Sequence, residues 1–467
     1  MKNINSILKL TIPFTQIVSA KEEVYNGNRF YRINCETFFA EGSFIRTEVC
    51  LPENWNGIYL GCGNGGMAGG LSSDYLRDRA CDGYAAAHTD MGTFKGRDFG
   101  IKNREVWKDF GWRSTHNTTI IAKALIMECY GKTPDYSYFY GGSTGGQQAL
   151  SMAQRFPEDF DGIIADKPAN NRVFLHTYFL WNHVHLTSAD GSPLFTYEEV
   201  QNISRIAPRF FQNLGDGENG DDFITFPKND SKTIQAFLEF LSADMPDLSA
   251  TQLSALKAVY MGPVNPRTHK QIYNGMPIGS EVYPCGIMDC QGSEPPHYYP
   301  FNWVFGADYK ARQFDFDKDF ETVSDALSGD LNANCADLSA FKEKGGKLIM
   351  LAGTADPCVP FPDNAAYFKR LYDNYGDELS SFFRFFLFPG RDHCGQGEGL
   401  NATICESDTM DPNFYALRKW CEEGIAPEYL MGAHIENGEI KFTRKIYPYS
   451  SKENTVDKYC EEYYYNK

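Results

Sequence analysis

At 467 residues, the chain is long enough to bury one large core and carry an inserted domain, or to form two domains. Its formal net charge of −17, without a basic tract, argues against a nucleic-acid partner bound through phosphate. No apolar run approaches the roughly 18 residues of a membrane-spanning helix, so we expect no membrane partner.

The N-terminal segment and the cysteines give indications of the cellular compartment of the protein. Lys9, Thr11 and Pro13 interrupt the apolar run that a secretory signal would need, so residues 1–20 are predicted to belong to the mature structure. The 13 cysteines are odd in number, which leaves at least one unpaired, and no C-x-x-C pair indicates a zinc site. We therefore expect a cytoplasmic protein, or a secreted one if the N-terminus is processed.

A glycine-rich loop follows the strand predicted at Ile58–Leu60. Six of the ten residues from Gly61 to Gly70 are glycine, which predicts tight turns or a close approach of the backbone to another group. The loop lacks the G-K-[ST] ending of a phosphate-binding loop, and its GxGxxG spacing alone is a weak dinucleotide signal. In an α/β-hydrolase such a loop supplies the second oxyanion N–H, for which Gly65 is the candidate. A plain loop is the alternative.

One strand and one helix are predicted before the next motif. Residues 83–90 are expected to form a buried strand, and Arg113 to Tyr130 a helix that ends at Gly131. The predicted apolar side of this helix consists of Ile120, Ile121, Ala124, Leu125 and Met127. His116, within the helix, is interpreted as a hydrogen-bonded structural histidine.

The stretch from Tyr136 to Phe156 is predicted to run strand, sharp turn, helix. Its turn has the pattern G-x-S-x-G, with Ser143 at the centre. In a nucleophile elbow the backbone is strained at the serine, and side chains two residues away on either side would clash, so glycines are needed there. The pattern therefore marks Ser143 as a candidate nucleophile, and the N–H of Thr144 as a candidate oxyanion donor.

The strand predicted at Phe160–Asp166 completes a β-α-β-α-β progression. This order indicates an α/β fold with a mostly parallel central sheet and helices on both faces. From about residue 168 to 340 the periodicity becomes local and aromatic residues are plentiful, which predicts an inserted lid domain. We expect residues 1–167 and 341–467 to form the catalytic domain. One clear helix within the lid follows Ser249, whose capping box includes Gln252.

An acidic, glycine-containing loop lies within the predicted lid, between residues 213 and 224. Hard oxygen ligands of this kind suit calcium, although the spacing is not that of an EF-hand, and a solvated acidic turn is the alternative. The candidate metal ligands are Asn213, Asp216, Glu218 and Asp221.

Two further strands are predicted to return the chain to the sheet. A continuous apolar strand leads to Asp356, and the strand at Phe382–Phe388 precedes His393. Catalytic groups of open parallel sheets gather where strands end. The chain order Ser143, Asp356, His393 is that of an α/β-hydrolase triad.

The stretches GGSTGGQQALSMAQRFPEDFDGIIA, GTADPCVP and FPGRDHCGQGEG resemble the tannase and feruloyl esterase family, from about Ile12 to Cys460. The resemblance implies that Ser143, Asp356 and His393 are nucleophile, acid and base. It also implies a calcium loop in the lid, which Asn213, Asp216 and Asp221 match with a one-residue insertion. No cofactor is implied for the chemistry itself.

One position departs from the family pattern. Family members have a cysteine before the nucleophile that is bonded to the cysteine after the catalytic histidine, whereas here Gly142 precedes Ser143 and Cys394 is kept. Either packing alone holds the elbow against the histidine loop, or Cys394 pairs elsewhere, for instance with Cys405. Loss of the bridge fits a reducing compartment.

These observations predict a serine esterase acting on small aromatic, phenolic carboxylic esters such as feruloyl or galloyl esters. Two alternatives stay open: an esterase of other aromatic or aliphatic carboxylic esters, and a non-catalytic polyphenol- or carbohydrate-binding protein on a hydrolase scaffold.

Overall fold

A nine-stranded sheet forms the centre of the molecule. The computed structural model describes residues 4–217, 221–407 and 411–450. The strands of the sheet are β1 (Thr15–Tyr25), β2 (Asn28–Thr37), β3 (Ile45–Pro52), β4 (Ile58–Cys62), β5 (Ala85–Thr89), β6 (Tyr136–Gly142), β7 (Gly162–Asp166), β8 (Lys347–Gly353) and β9 (Phe383–Phe388). Their spatial order is β1-β2-β3-β5-β4-β6-β7-β8-β9.

The sheet is antiparallel at one side and parallel over the rest. β1, β2, β3 and β5 pair antiparallel, and the strands from β5 to β9 pair parallel. The mostly parallel sheet is therefore confirmed. Because the carboxyl ends of parallel strands lie at one edge, the loops after β4, β6, β8 and β9 all begin at that edge.

Helices cover both faces of the sheet and fill the long connection between β7 and β8. They are α1 (Ile4–Ile7), α2 (Ser73–Cys81), α3 (Arg104–Lys108), α4 (Ser114–Tyr130), α5 (Thr144–Arg155), α6 (Arg172–Leu186), α7 (Tyr197–Asn213), α8 (Ser231–Asp244), α9 (Ala250–Met261), α10 (Ile287–Cys290), α11 (Tyr299–Phe305), α12 (Lys318–Leu331), α13 (Ser339–Glu343), α14 (Phe361–Tyr375) and α15 (Pro412–Glu423). Short 3₁₀ helices occur at Arg97–Gly100, Pro157–Asp159, Ala311–Gln313 and Gly376–Ser381, and a π-helical turn at Asp109–Arg113 leads into α4.

Several of the predicted helices and strands can be compared with those of the structure. The strand, turn and helix expected around Ser143 are β6 and α5, and the predicted capping box of Ser249 and Gln252 is present at the start of α9. The predicted apolar side of α4 was wrong in part, because Ile120 and Met127 are exposed. The structure buries polar residues of α4 such as Asn117 and Thr118 instead, since Thr118 and Asn117 bond to Thr47 and Thr37 of the sheet.

Four groups of buried apolar residues form the core. Two of them cover the two faces of the central sheet, which explains why β8 is an almost continuous apolar strand. A third lies among α6 to α10, and includes Cys358 and Val359 from the loop after β8. A fourth joins α3, α6, α11 and α12. The helices between β7 and β8 thus have a core of their own, and the separate lid domain at residues 168–340 stays a prediction.

A second, small sheet was not anticipated. It consists of β10 (Ala402–Ile404), β11 (Leu430–Glu436) and β12 (Glu439–Ile446), which pair antiparallel. At the other end of the chain, Ile7 and Ile12 are buried in the main core. Within the described ranges, no helix is long and apolar enough to cross a membrane.

Candidate active site

Ser143 lies at a strained turn between β6 and α5. Its backbone has φ 59° and ψ −117°, a conformation that is costly for a residue with a side chain. The flanking glycines make the turn possible, because a Cβ atom at Gly141 would lie 2.4 Å from the carbonyl carbon of Gly145. The amide of Ser143 donates to the Asp166 carbonyl at 2.9 Å, which fixes the turn to the end of β7. This is the geometry of a nucleophile elbow.

The elbow is hydrogen-bonded to the glycine-rich loop. The Gly145 amide donates to the Asn64 carbonyl at 2.7 Å, and the Thr144 hydroxyl donates to the Gly66 carbonyl at 2.5 Å. Arg172, which is buried, donates to the same hydroxyl at 2.8 Å. In the described part of the chain, neither the Thr144 nor the Gly65 amide has an acceptor. Both amides can therefore donate to an oxyanion, and they lie on two segments that are hydrogen-bonded to each other.

His393 lies beside Asp356, as the predicted triad requires. Its Nδ1 is 2.7 Å from Oδ2 of Asp356, whose side chain is fully buried. The other carboxylate oxygen, Oδ1, accepts the amides of Cys358 and Val359, each at 2.8 Å. With both oxygens occupied, the carboxylate is fixed in the orientation that holds the imidazole.

Asp392, next to the histidine, has a different role. Its carboxylate accepts the amides of Cys394, Gln396 and Gly397 at 2.7–3.1 Å and so closes its own loop. It makes no hydrogen bond to His393 within the described residues. The geometry therefore favours Asp356 over Asp392 as the partner of the imidazole.

Three charged residues connect the elbow with the histidine loop. The Nζ of Lys167 donates to the His393 carbonyl at 3.1 Å and lies 3.1 Å from Asp166. Arg391 binds both oxygens of Asp166, at 3.2 and 3.3 Å. Because the Asp166 carbonyl accepts the Ser143 amide, this network spans from nucleophile to base. No hydrogen bond joins Ser143 Oγ to His393 Nε2 among the described residues, and such contacts often tighten only with substrate bound.

Sequence reasoning missed Lys167, Arg391 and Arg172. A usable signal existed for Lys167: it follows the last residue of β7, the strand next to β6, at the edge where catalytic groups gather. In the structure, Lys167 also has a φ of +46°, which is uncommon for a residue with a side chain and is typical of strained positions at functional sites.

The comparison with family models shows to which family the chain belongs. Residues 34–458, which are most of the chain, match the model described as tannase and feruloyl esterase. The chain belongs to the tannase and feruloyl esterase family. It is accordingly a carboxylic ester hydrolase.

Individual members of the family are similar over nearly the whole chain. A probable feruloyl esterase B-1 from Aspergillus oryzae is 28% identical over 449 residues, which cover 91% of this chain and 81% of that protein. A probable feruloyl esterase B from Aspergillus niger is 29% identical over 455 residues, covering 89% and 81%.

Solved structures of similar proteins share the fold. The crystal structure of feruloyl esterase B from Aspergillus oryzae superposes with a TM-score of 0.81 at 24% identity, covering 96% of this chain and 95% of that one. Tannin acyl hydrolase from Aspergillus niger superposes with a TM-score of 0.69 at 19% identity, covering 94% and 89%. The predicted α/β-hydrolase fold is confirmed.

The disulfide that the family resemblance implies is replaced here by polar contacts. All 12 cysteines in the described ranges are free, including Cys394 and Cys405, so the suggested pairing of these two is not formed. A Cβ atom at Gly142 would be 3.6 Å from the Asp166 carbonyl, so a side chain would fit there. The network of Asp166, Lys167 and Arg391 instead connects the elbow with the histidine loop.

The predicted calcium ligands are only partly within the described residues. The carboxylate of Asp216 accepts the amides of Thr225 and Phe226, and that of Asp221 is bound by Arg444 at 2.6 and 3.1 Å. Asn213 is exposed at the end of α7, and Glu218 lies outside the described residues. Over the described ranges, no three His, Cys, Asp or Glu side chains form a metal-binding group. The calcium site stays a prediction.

A second histidine and carboxylate pair has similar geometry away from this site. His116 Nδ1 lies 2.7 Å from Asp159 Oδ2, and its ring stacks on Phe156 at 3.7 Å. The Nζ of Lys123 donates to the Asp159 carbonyl at 2.6 Å. The interpretation of His116 as a structural histidine agrees with these contacts, and the pair provides a matched control for the candidate site.

The pKa of His393 depends on opposing effects. Burial lowers it, the charge and hydrogen bond of Asp356 raise it more, and the charge of Lys167 lowers it, so that the pKa lies above the ordinary 6.5. A general base must be neutral, so activity is lost as pH falls through this pKa. We expect the acid limb of kcat/KM to have its midpoint above 6.5.

The Lys167→Met variant tests the role of the charged network. Removing the positive charge should raise the pKa of His393 further and move the acid limb of kcat/KM to higher pH. Loss of the bond to the His393 carbonyl should also lower kcat, by roughly tenfold. The measurement is the pH profile of ester hydrolysis.

Two variants serve as controls for this test. Lys167→Arg keeps the charge and should leave the acid limb in place. Lys123→Met removes the bond to the Asp159 carbonyl beside His116 and should leave the whole profile unchanged. An acid limb that stays in place in Lys167→Met would contradict the proposed effect of its charge on His393.

Proposed function

We propose that this chain is a serine esterase that hydrolyses phenolic carboxylic esters, such as feruloyl or galloyl esters, through an acyl-enzyme on Ser143. The observation that carries the proposal is the 2.7 Å contact between His393 and the buried Asp356, at the sheet edge where the strained Ser143 turn also begins.

In the acylation step, His393 Nε2 accepts the proton of the Ser143 hydroxyl as Oγ attacks the ester carbonyl. Asp356 keeps the proton on Nδ1 and stabilises the imidazolium. The amides of Thr144 and Gly65 donate to the oxyanion, and His393 returns the proton to the alcohol as it leaves. The acyl group is then bound to Ser143 as an ester.

In the second step, water hydrolyses this ester. His393 accepts a proton from the water, whose oxygen attacks the acyl carbonyl, and the same amides hold the second oxyanion. Collapse returns the proton to Ser143 Oγ and releases the free acid. Apart from this water, the proposed chemistry uses side chains and amides of this chain.

The names of the relatives support an aromatic acyl group, because the relatives of similar length are named feruloyl esterases. Behind the proposed elbow, the buried Arg172 supports Thr144: one nitrogen donates to the Thr144 hydroxyl, another lies 3.3 Å from the Tyr299 hydroxyl, and the guanidinium lies over the Phe110 ring. Both rings are buried, so these contacts position the elbow.

The proposal is tested with three methyl esters that differ only in the acyl group: methyl ferulate, methyl gallate and methyl butyrate. We expect kcat/KM to be higher for at least one methyl ester of a phenolic acid than for the aliphatic ester. Hydrolysis of the butyrate alone would keep the triad and replace the substrate by the first alternative, an aliphatic ester. No hydrolysis of any of the three would contradict the proposed substrate class.

Three finer points belong to the same proposal. We propose that residues 168–340 form a lid over the site, and that a structural calcium ion binds the loop of Asn213, Asp216, Glu218 and Asp221. For the location we propose the cytoplasm, with secretion after processing of the N-terminus as the alternative. The calcium ion is assessed by titrating the metal-depleted chain with Ca²⁺ and following its melting temperature, which should rise if the ion binds the folded state.

A further inference from the structure

Two cysteines from distant parts of the chain meet beside the loop that carries Asp356. The Sγ atoms of Cys285 and Cys358 are 3.0 Å apart and share a hydrogen bond, although the residues are 73 positions apart. Cys285 lies just before α10, among the helices between β7 and β8, and Cys358 lies after β8. A disulfide brings its sulfur atoms to about 2.05 Å, so only a small movement would join the two.

Cys358 has a direct structural relation to the active site, and Cys285 has an unusual backbone conformation. The Cys358 amide donates to Asp356 Oδ1 at 2.8 Å, so this cysteine belongs to the turn that orients the carboxylate. Its side chain is packed in the core formed by α6 to α10. Cys285 has a φ of +68°, which is uncommon outside glycine and is typical of strained positions near functional sites.

The chemistry of the pair differs from that of the other buried thiols. Burial raises the pKa of Cys62 to about 12, which makes that thiol unreactive. The hydrogen bond with Cys358, and then a bond with His297, lower the pKa of Cys285 despite its burial, while the pKa of Cys358 is raised. The contact between the two sulfur atoms therefore lowers the pKa of one thiol and raises that of the other. Cys285 is partly exposed, so a small oxidant can reach it.

We propose that Cys285 and Cys358 are a reversible thiol–disulfide site, which on oxidation by a small-molecule disulfide ties the helices between β7 and β8 to the loop that carries Asp356. The Cys285 thiolate attacks one sulfur of the oxidant and expels the other as a thiolate. The mixed disulfide so formed is attacked by Cys358, which gives up its proton to solvent. The second half of the oxidant then leaves as a thiolate, so that two protein thiols are oxidised and one disulfide is reduced to two thiols.

The bond has a predicted effect on the base of the proposed triad. The groups that act on His393 are Asp356 and a Cys285 thiolate, which raise its pKa, and Lys167, which lowers it. Disulfide formation removes the negative charge of Cys285. The acid limb of kcat/KM should therefore move to lower pH on oxidation, and the Cys285→Ser variant should show the same shift without an oxidant.

The test uses the full-length protein, reduced with a phosphine and then incubated with oxidised glutathione. Free thiols are blocked with N-ethylmaleimide, and the linked peptides are identified by mass spectrometry. We expect a linked pair that contains Cys285 and Cys358, lighter by the two hydrogen atoms lost, and a melting temperature raised by several degrees because the bond closes a long loop. A reducing agent should reverse both changes.

Matched variants keep this test decisive. Cys285→Ser and Cys285→Ala should abolish the linked pair and the rise in melting temperature. Cys290→Ser, which changes a buried cysteine in the adjacent short helix α10, should retain both. The proposal is overturned if Cys285 and Cys358 both stay available for alkylation while exposed Cys335 and Cys394 become oxidised, or if Cys285 links to Cys290. This result does not depend on whether phenolic esters are the substrates, because the linkage is measured without any ester.

Discussion

Replacing Ser143 with alanine is expected to lower kcat for a phenolic ester by roughly 10⁵-fold or more, as removal of a triad nucleophile does elsewhere. No acyl-enzyme can form without Oγ, so the rate left over comes only from the oxyanion donors and from binding. KM should change little, because the rest of the site is retained. The measurement is the release of the free acid under saturating ester.

Ser151 offers a control on the same helix. Its side chain is buried in α5, and its hydroxyl has no hydrogen-bond partner among the described residues, so Ser151→Ala removes an oxygen without breaking a contact. That variant should keep kcat within a factor of about two, since it leaves both the elbow and the stability of the fold intact. A serine-directed fluorophosphonate should label Ser143 in the wild type and in Ser151→Ala, and label neither serine in Ser143→Ala. Wild-type turnover in Ser143→Ala would rule this residue out as the nucleophile.

The second large effect is expected for Asp356→Asn, which should lower kcat by roughly 10⁴-fold. An asparagine amide cannot accept the Nδ1 proton of His393 in the same way, so the imidazole takes the wrong tautomer while its position is kept. KM and the melting temperature should change less than kcat. Steady-state kinetics measure the loss of kcat, and thermal unfolding shows whether the fold is retained.

Two other carboxylates show whether this loss is specific. Asp159→Asn changes the partner of His116, at the same 2.7 Å distance, and should leave kcat unchanged. Asp392→Asn disturbs the turn closed by the amides of Cys394, Gln396 and Gly397, and should cost about 1–3 kcal/mol of stability with a loss of kcat below about tenfold. A near-normal Asp356→Asn together with an inactive Asp392→Asn would transfer the role of the acid to Asp392.

Local sequence patterns were sufficient for most of the central sheet. Strands β4 to β9 are short apolar runs bounded by glycine or polar residues, and a run of this kind predicts a buried parallel strand wherever it occurs. The elbow could also be predicted from neighbouring residues, because a G-x-S-x-G turn between a strand and a helix needs glycines on both sides of the serine for steric reasons. The small sheet of β10, β11 and β12 escaped prediction because β10 has only three residues, all partly exposed, and is defined by its partner.

Contacts between distant segments decided the rest of the candidate site. The bond from Lys167 to the His393 carbonyl and the pairing of Arg391 with Asp166 join residues more than 200 positions apart, and no spacing rule predicts them. The same holds for the packing of α4, where tertiary hydrogen bonds to Thr37 and Thr47 buried polar residues and left Ile120 exposed. Hydrophobic periodicity predicts that apolar residues face the core, so it cannot predict a helix face that is buried through polar hydrogen bonds.

The sequence by itself determined the fold class and the family, and it predicted the three residues of the proposed triad, because each depends on short motifs at strand ends whose chain order is already informative. Only the tertiary structure decided which carboxylate faces His393, how the elbow is connected to the histidine loop without the family disulfide, and that Cys285 lies against Cys358. The physical reason is that a strand or a turn is specified by neighbouring residues, whereas charge pairing and thiol contact depend on distances that exist only after the chain has folded.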